Sequence, residues 1–405
     1  MDIRISPGPL AGTIAPPPSK SQAHRLLLCA ALSEGESLIS NVSLSQDIRA
    51  TLSCMESLGA RWEDLGGSIR VHGIPAGPWT GPLPRLDCGE SGSTLRFLIP
   101  VALAVAGGGV FTGRGRLMER PQQPYFDLFD AKGISHSLEN GVLTVRGVLS
   151  PGTYALPGNV SSQFFTGLLL ALPLLKGDSR IQSTTELESR NYIDMTLLAQ
   201  ESFGVSIRVG DGQWTVAGGQ RGRGRGAAVE GDYSQAAFWY AANGLGSRVD
   251  IQGLNARSAQ GDMRIVPYSM KLRLPGDVTL DVSQCPDLVP PLAACAAVRP
   301  GVTSIVGAAR LRIKESDRLR TVTQALSALG GCVEERADSL VIHGLESLRG
   351  GTVDACNDHR IAMMAAVAAT RCRQPVTIRG AECVAKSYPG FWEDYARLGG
   401  NAERI

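Results

Sequence analysis

The sequence has almost no net charge, no paired-cysteine spacing and no long apolar run. Forty Lys and Arg stand against 38 Asp and Glu, a formal net charge of +2. A chain held to nucleic acid by bulk attraction needs a stronger positive field, so basic residues here act as local clusters. The nine cysteines are odd in number and contain no C-x-x-C pair. That argues against a disulfide framework and for free, buried thiols in a reducing cytoplasm. The five histidines are scattered without metal-ligand spacing, so no metal is expected. The start lacks a charged-then-apolar leader, and no uninterrupted apolar stretch is long enough to span a bilayer, so no membrane association is expected. Neither a P-loop nor a dinucleotide fingerprint occurs, which leaves a nucleotide site unsupported.

What is present is enough apolar material for more than one core: 405 residues, 43% hydrophobic, at a mean hydropathy of 0.00. It is distributed as a repeat. A polar turn with Ser or Asp leads into a helix rich in Ala and Leu at Ser19-Lys20-Ser21, Ser91-Gly92-Ser93, Ser161-Ser162-Gln163, Asp232-Tyr233-Ser234, Asp287 and Asp358-His359-Arg360. Positions 20, 92, 162, 233, 287 and 358 are separated by 72, 70, 71, 54 and 71 residues. Later in each unit a helical run ends in Gly and two short alternating runs follow, as at Lys132-Gly133 before Val142-Leu143-Thr144-Val145. That is a helix stop followed by a hairpin. Each unit therefore reads as strand, helix, strand, helix, hairpin, and the fourth, which is short, has lost part of its second half.

The sixth unit runs out of chain before its hairpin. The segment Ile3–Ile14 is expected to supply it, which brings the two termini together in one domain. The reading gives an α/β fold with a domain over 20–226 and a discontinuous domain over 1–19 plus 227–405, three units in each. The Arg221–Gly226 Arg-Gly tract falls at the crossing. With no aromatic interleaving it reads as a flexible linker rather than an RNA-binding tract. A second crossing near Pro16-Pro17-Pro18 makes a two-strand hinge.

The chemistry is expected at the helix starts. Unpaired N–H groups and the macrodipole there favour phosphate or carboxylate, although Ser and Asp also simply cap helices. Basic residues recur near these starts: Lys20, Arg25, Arg96, Arg120, Arg360 and Lys386. The densest stretch is Leu311–Arg318, in which Arg312, Lys314, Glu315, Asp317 and Arg318 are charged. A carboxylate set among cations suits an anion site that also moves a proton.

These motifs resemble the 5-enolpyruvylshikimate-3-phosphate synthase family of enolpyruvyl transferases over essentially the whole chain. The resemblance rests on Ser19-Lys20-Ser21 with His24-Arg25, Gly89-Glu90-Ser91-Gly92-Ser93-Thr94-Leu95-Arg96, Glu119-Arg120-Pro121, Ser161-Ser162-Gln163, Lys314-Glu315-Ser316-Asp317-Arg318, Asn357-Asp358-His359-Arg360 and Lys386-Ser387. It implies two similar globular domains, each an inside-out barrel-like assembly of three βαβαββ units, closing on substrate. It implies transfer of the enolpyruvyl group of phosphoenolpyruvate to the 5-hydroxyl of shikimate 3-phosphate through a tetrahedral intermediate, without metal or organic cofactor. By position, Lys20, Gly92, Ser93, Arg120, Gln163, Arg318, Arg360 and Lys386 correspond to phosphoenolpyruvate contacts. Lys20, Ser21, Arg25, Ser161, Ser162, Gln163, Ser189, Asp287 and Lys314 correspond to shikimate 3-phosphate contacts. Asp287, for the hydroxyl proton, and Glu315, for the methylene proton, would be the acid–base pair, with Lys20 and Lys386 beside them. Cations flanking Glu315 favour its ionised form, so acid competence is expected only in the loaded site.

Two positions depart from the family pattern: Arg310 stands where some members carry Asn, and Glu90 where many do. Two rivals remain. A UDP-N-acetylglucosamine enolpyruvyl transferase typically uses a loop cysteine, and the 114–123 loop has none. A non-catalytic anion-binding repeat protein would not need Asp287 and Glu315. A cytoplasmic monomer without nucleic-acid partners is expected.

Overall fold

The computed structural model describes residues 1–405. It divides into two lobes: a central lobe, Pro18–Glu230, and a terminal lobe, Met1–Pro17 with Gly231–Ile405. Each has its own hydrophobic core. No helix is long and apolar enough to cross a membrane.

One repeat of the central lobe shows how the sequence makes the unit. Strand Arg85–Asp87 leads into helix Gly92–Ala106, whose first turn is capped by Ser91 accepting from the Thr94 N–H. Phe97, Leu98, Ile99, Val101 and Ala102 are all fully buried. A helix apolar on every side belongs inside a core, not on a surface. Gly107 ends it at φ +68°, and strand Gly108–Thr112 returns parallel to the first. Helix Gln123–Lys132 follows, then hairpin strands Ser135–Glu139 and Val142–Arg146. Asn140 and Gly141 turn the hairpin at φ +51° and +74°, the positive pair that a tight two-residue hairpin requires. Val142–Arg146 pairs antiparallel with Gly108–Thr112, so the sheet order is first, second, fourth, third strand.

The same order recurs in two other sheets. One comprises Gly152–Leu156, Ser179–Ser183, Gln213–Val216 and Ile207–Gly210; the other Val278–Asp281, Val302–Val306, Leu340–His343 and Cys332–Glu335. The short fourth repeat keeps only Ala11–Ile14 and Arg248–Ile251, paired in parallel.

Two expectations need correction. The Arg221–Gly226 tract is not a flexible linker. The Glu34 N–H donates to Gly222 O, the Gly224 N–H to Glu34 O and the Leu38 N–H to Arg225 O. Gly226–Ala228 then serves as the leading strand of the first sheet, parallel to Glu36–Ser40. A Cβ at Gly224 would lie 2.2 Å from the Glu36 carbonyl oxygen. These glycines allow close backbone approach rather than slack.

The sixth hairpin is not built from Ile3–Ile14 alone. Ile3–Ser6 pairs antiparallel with both Val376–Arg379 and Asn401–Arg404, so each end of the chain gives one strand. Pro7 and Pro9 lack ladder N–H groups and stop the first strand, and Ala11–Ile14 opens the fourth repeat instead. The termini do meet: the Ile405 N–H donates to Asp2 O, and the Met1 ammonium pairs with Glu382 at 2.9 Å.

Candidate active site

In the central lobe four helix starts carry the expected residues. Helix Lys20–Leu32 opens with Lys20, whose Nζ donates to Asp47 Oδ2 at 2.6 Å. Asp47 lies in the first turn of helix Gln46–Ser57. Arg25, one turn further on, is buried. Its Nε reaches Thr196 Oγ1 at 2.9 Å, its Nη2 the Tyr192 carbonyl at 2.8 Å and its Nη1 the Ser21 carbonyl at 2.6 Å. The guanidinium also lies over the Phe97 ring, and burial draws its pKa down to about 10. Its donors are aimed at protein oxygens.

Gly92 opens the second helix. A Cβ there would lie 2.6 Å from Arg120 Nη1 and 2.8 Å from Arg120 Cζ. The space that glycine leaves is thus filled by the Arg120 guanidinium. Next to it, Ser93 Oγ accepts from Gln163 Nε2 at 2.9 Å, and Gln163 Oε1 accepts from Arg96 Nη1 at 2.9 Å. Arg96 also donates to the Pro121 carbonyl and lies over the Phe164 ring, which fixes Gln163 from behind. Ser161 caps helix Ser162–Ala171, with Ser162 buried at its first position. Ser189 is buried before helix Arg190–Ser202 at φ +55°, a left-handed conformation unfavourable for serine by about 1 kcal/mol.

His24 is structural. Burial first, then Lys20 and Arg25, hold its pKa well below the usual value. Its Nδ1 meets Thr51 Oγ1 at 2.8 Å, and Thr51 meets Thr94 at 2.7 Å, tying three helices together.

In the terminal lobe the centre is Arg318. Its Nε donates to Asp358 Oδ2 at 2.8 Å, its Nη1 to Asp287 Oδ1 at 2.9 Å and its Nη2 to Glu315 Oε2 at 2.6 Å. Burial would weaken its charge, but Asp358, Glu315 and Asp287 more than offset this and hold its pKa above the ordinary value. Arg360 Nη2 reaches Asp287 Oδ2 at 3.1 Å, and Lys314 Nζ reaches Asp287 Oδ1 at 3.6 Å. Lys386 Nζ donates to the Asn357 carbonyl at 2.6 Å. The two candidate carboxylates thus share one guanidinium.

Asp287 does not cap its helix. Ser19, Ser91, Ser161, Asp232 and Asp358 each accept a first-turn N–H, whereas Asp287 lies in the 3-10 turn Pro286–Leu288, ahead of Val289–Ala296. Its side chain is left to the cations. Burial tends to raise its pKa, yet Arg360, Lys314 and Arg318 together pull the carboxyl well below the usual range.

The dense charged stretch divides by direction. Arg312 turns away and pairs with Asp317 at 3.0 Å and Glu335 at 2.7 Å, pinning the hairpin. Asp317 caps helix Arg318–Ala328. Lys314, Glu315 and Arg318 are left for the site. Arg310 is buried and donates to the Ser283 carbonyl at 2.5 Å. Glu90 lies against Gly115, where a Cβ would be 2.6 Å from Glu90 Oε2.

Sequence reasoning missed Asp47 as the partner of Lys20, and took Asp358 only as a cap. Ser316 and the Arg360 N–H also donate to Asp358, so its buried carboxylate is fully engaged. The only local signal for Asp47 was an acidic residue in the first turn after Ser45.

Comparison with known proteins places the whole chain in one family. The profile of the family described as EPSP synthase (3-phosphoshikimate 1-carboxyvinyltransferase) matches residues 5–395. A relative from Clostridium kluyveri is 46% identical over 424 aligned positions, covering 99% of this chain and 98% of that one. One from Clostridium acetobutylicum is 45% identical, covering 98% and 97%. Both are named 3-phosphoshikimate 1-carboxyvinyltransferase. Two solved structures of EPSP synthase from Acinetobacter baumannii share the fold, each with a TM-score of 0.79 at 24% identity over the full length of both chains. The chain belongs to the EPSP synthase family.

Proposed function

We propose that this protein transfers the enolpyruvyl group of phosphoenolpyruvate to the 5-hydroxyl of shikimate 3-phosphate and releases phosphate, a step of the shikimate pathway. The observation that carries the reading is Arg318 bonded at once to Asp287 and Glu315, with Arg360 and Lys314 also on Asp287. Two carboxylates that can exchange protons are held among cations that can take up anions.

The atoms move as follows. The methylene carbon of phosphoenolpyruvate gains a proton from Glu315 as the 5-hydroxyl oxygen bonds to the adjacent carbon and loses its proton to Asp287. The resulting tetrahedral intermediate expels phosphate, which takes up the proton held by Asp287, while Glu315 takes a proton back from the new methyl group and restores the double bond. Lys20, Arg120, Gln163, Arg318, Arg360 and Lys386 contact phosphoenolpyruvate, with Gly92 and Ser93 forming the turn beside it. Lys20, Ser21, Arg25, Ser161, Ser162, Gln163, Ser189, Asp287 and Lys314 contact shikimate 3-phosphate.

Asp287 paired with three cations is a weak base. Substrate anions that draw those cations off raise its pKa, so base strength arises with both substrates bound. The same reading has the protein working as a cytoplasmic monomer without nucleic acid. The test is phosphate release from phosphoenolpyruvate, in chelator, with shikimate 3-phosphate or UDP-N-acetylglucosamine as acceptor. Release with shikimate 3-phosphate alone supports the reading; release only with the nucleotide sugar, or with neither, overturns it.

A further inference from the structure

Ser234 lies in the first turn of helix Tyr233–Gly244 and is buried. Its hydroxyl donates to Asp262 Oδ2 at 2.8 Å and accepts from Arg360 Nη2 at 2.8 Å. The same nitrogen donates to Asp287 Oδ2 at 3.1 Å. Asp262 belongs to the 3-10 turn Gly261–Arg264 and is only 3% exposed. One bonded chain therefore runs from Asp262 through Ser234 and Arg360 to Asp287.

The direction of that chain follows from donor counting. A guanidinium has no acceptor, so Ser234 must accept from Arg360, and its one proton goes to Asp262. An ionised Asp262 can only accept, which locks the hydroxyl in that sense. We propose that Asp262 is a positioning residue for the reaction: through Ser234 it holds Arg360 at the angle from which the guanidinium engages phosphoenolpyruvate. The proposal rests on Arg360 being a phosphoenolpyruvate contact, as proposed above.

Burying a carboxylate is unfavourable, and an amide of the same shape would avoid the charge. The charged groups acting on Asp262 are Asp287, Arg360 and Asp232. Burial, then Asp287, push its pKa up to about 6, against Arg360 and the Ser234 hydrogen bond. An amide in its place can donate to Ser234. The hydroxyl can then turn, and Arg360 loses a fixed acceptor.

The experiment compares wild type with Asp262→Asn, Ser234→Ala and the double variant, with Ser234→Thr as the rescue. The expected result is KM for phosphoenolpyruvate about tenfold higher in each single variant, the loss of one charge-assisted hydrogen bond. The kcat should change by less than about threefold, since the effect lies in ground-state binding. The double variant should be no worse than either single one, because both act through one path. Ser234→Thr, which keeps the hydroxyl, should restore KM. A second readout needs no turnover: the guanidinium 15N signals of Arg360, assigned by their loss in Arg360→Lys. Restricted rotation in wild type and averaging in Asp262→Asn support the proposal. Unchanged Arg360 signals, or a lowered Tm with unchanged KM, overturn it. A wild type without phosphate release would overturn the enzymatic reading and the proposed role in the reaction with it, whereas phosphate release by wild type with Arg360 signals and KM unmoved by Asp262→Asn would overturn the positioning role alone.

Discussion

Arg318 and Asp358 form a two-point contact inside the terminal lobe, Nε to Oδ2 at 2.8 Å and Nη2 to Oδ1 at 3.3 Å. Their side chains are 1% and 0% exposed. The pair sets the plane of the guanidinium and so the positions of its remaining N–H groups, which meet Asp287 and Glu315. Asp358→Ala should cost about 3–5 kcal/mol, because it leaves a buried cation short of a partner. It should also lower turnover. Denaturant unfolding checks the first and phosphate release the second; a variant within about 1 kcal/mol of wild type would contradict the buried pair.

Asp287 gives a pH dependence with a definite sign. Its folded-state pKa lies below that of an unfolded aspartate, so its ionised form stabilises the fold. That contribution is complete above the unfolded value of about 4 and is lost as pH falls below it. Wild type should therefore lose Tm faster than Asp287→Asn on acidification below about pH 4. Parallel curves would count against the pairing with Arg318, Arg360 and Lys314. At neutral pH Asp287→Asn should lower kcat by about 10²–10⁴, the range of general-base loss.

Gly92→Ala tests the close approach of Arg120. The added methyl would meet the far end of a flexible side chain, so Arg120 can shift and the fold should survive. Tm should move little, while KM for phosphoenolpyruvate rises several-fold. An unchanged KM would mean that the resting position of Arg120 has no bearing on binding.

Substrate binding should take up protons. Arg318 serves three carboxylates, and Asp287 has three cations. Bringing anions onto those cations raises the pKa of Asp287 and Glu315. Calorimetry of phosphoenolpyruvate binding, with shikimate 3-phosphate present, in buffers of different ionisation enthalpy should show net uptake. Proton release would contradict this exchange of partners.

Much of the fold was legible because its signals are local. Ser19, Ser91, Ser161, Asp232 and Asp358 cap the helices that follow them, and Gly107 and Gly133 end theirs in left-handed backbone. Period and turn chemistry read such features directly. The failures are long-range. Gly226–Ala228 joins a strand 188 residues away in sequence, and nothing within the Arg-Gly tract signals that pairing. The site divides in the same way. Lys314, Glu315 and Arg318 stand in one run, but only the folded chain separates them from Arg312, which faces the hairpin. Asp287 looks like a cap and instead meets Arg318, 31 positions later. Lys20 and Asp47, Arg318 and Asp358, and Ser234 and Asp262 are pairs that composition and spacing do not encode.

The central claim is that Glu315 carries the proton to and from the methylene carbon. The most direct measurement follows phosphoenolpyruvate and shikimate 3-phosphate in D2O, reading phosphate release together with deuterium at that carbon. Wild type should release phosphate and place deuterium in the enolpyruvyl methylene, and Glu315→Gln should lose both. Deuterium incorporation by Glu315→Gln at the wild-type rate would contradict the account.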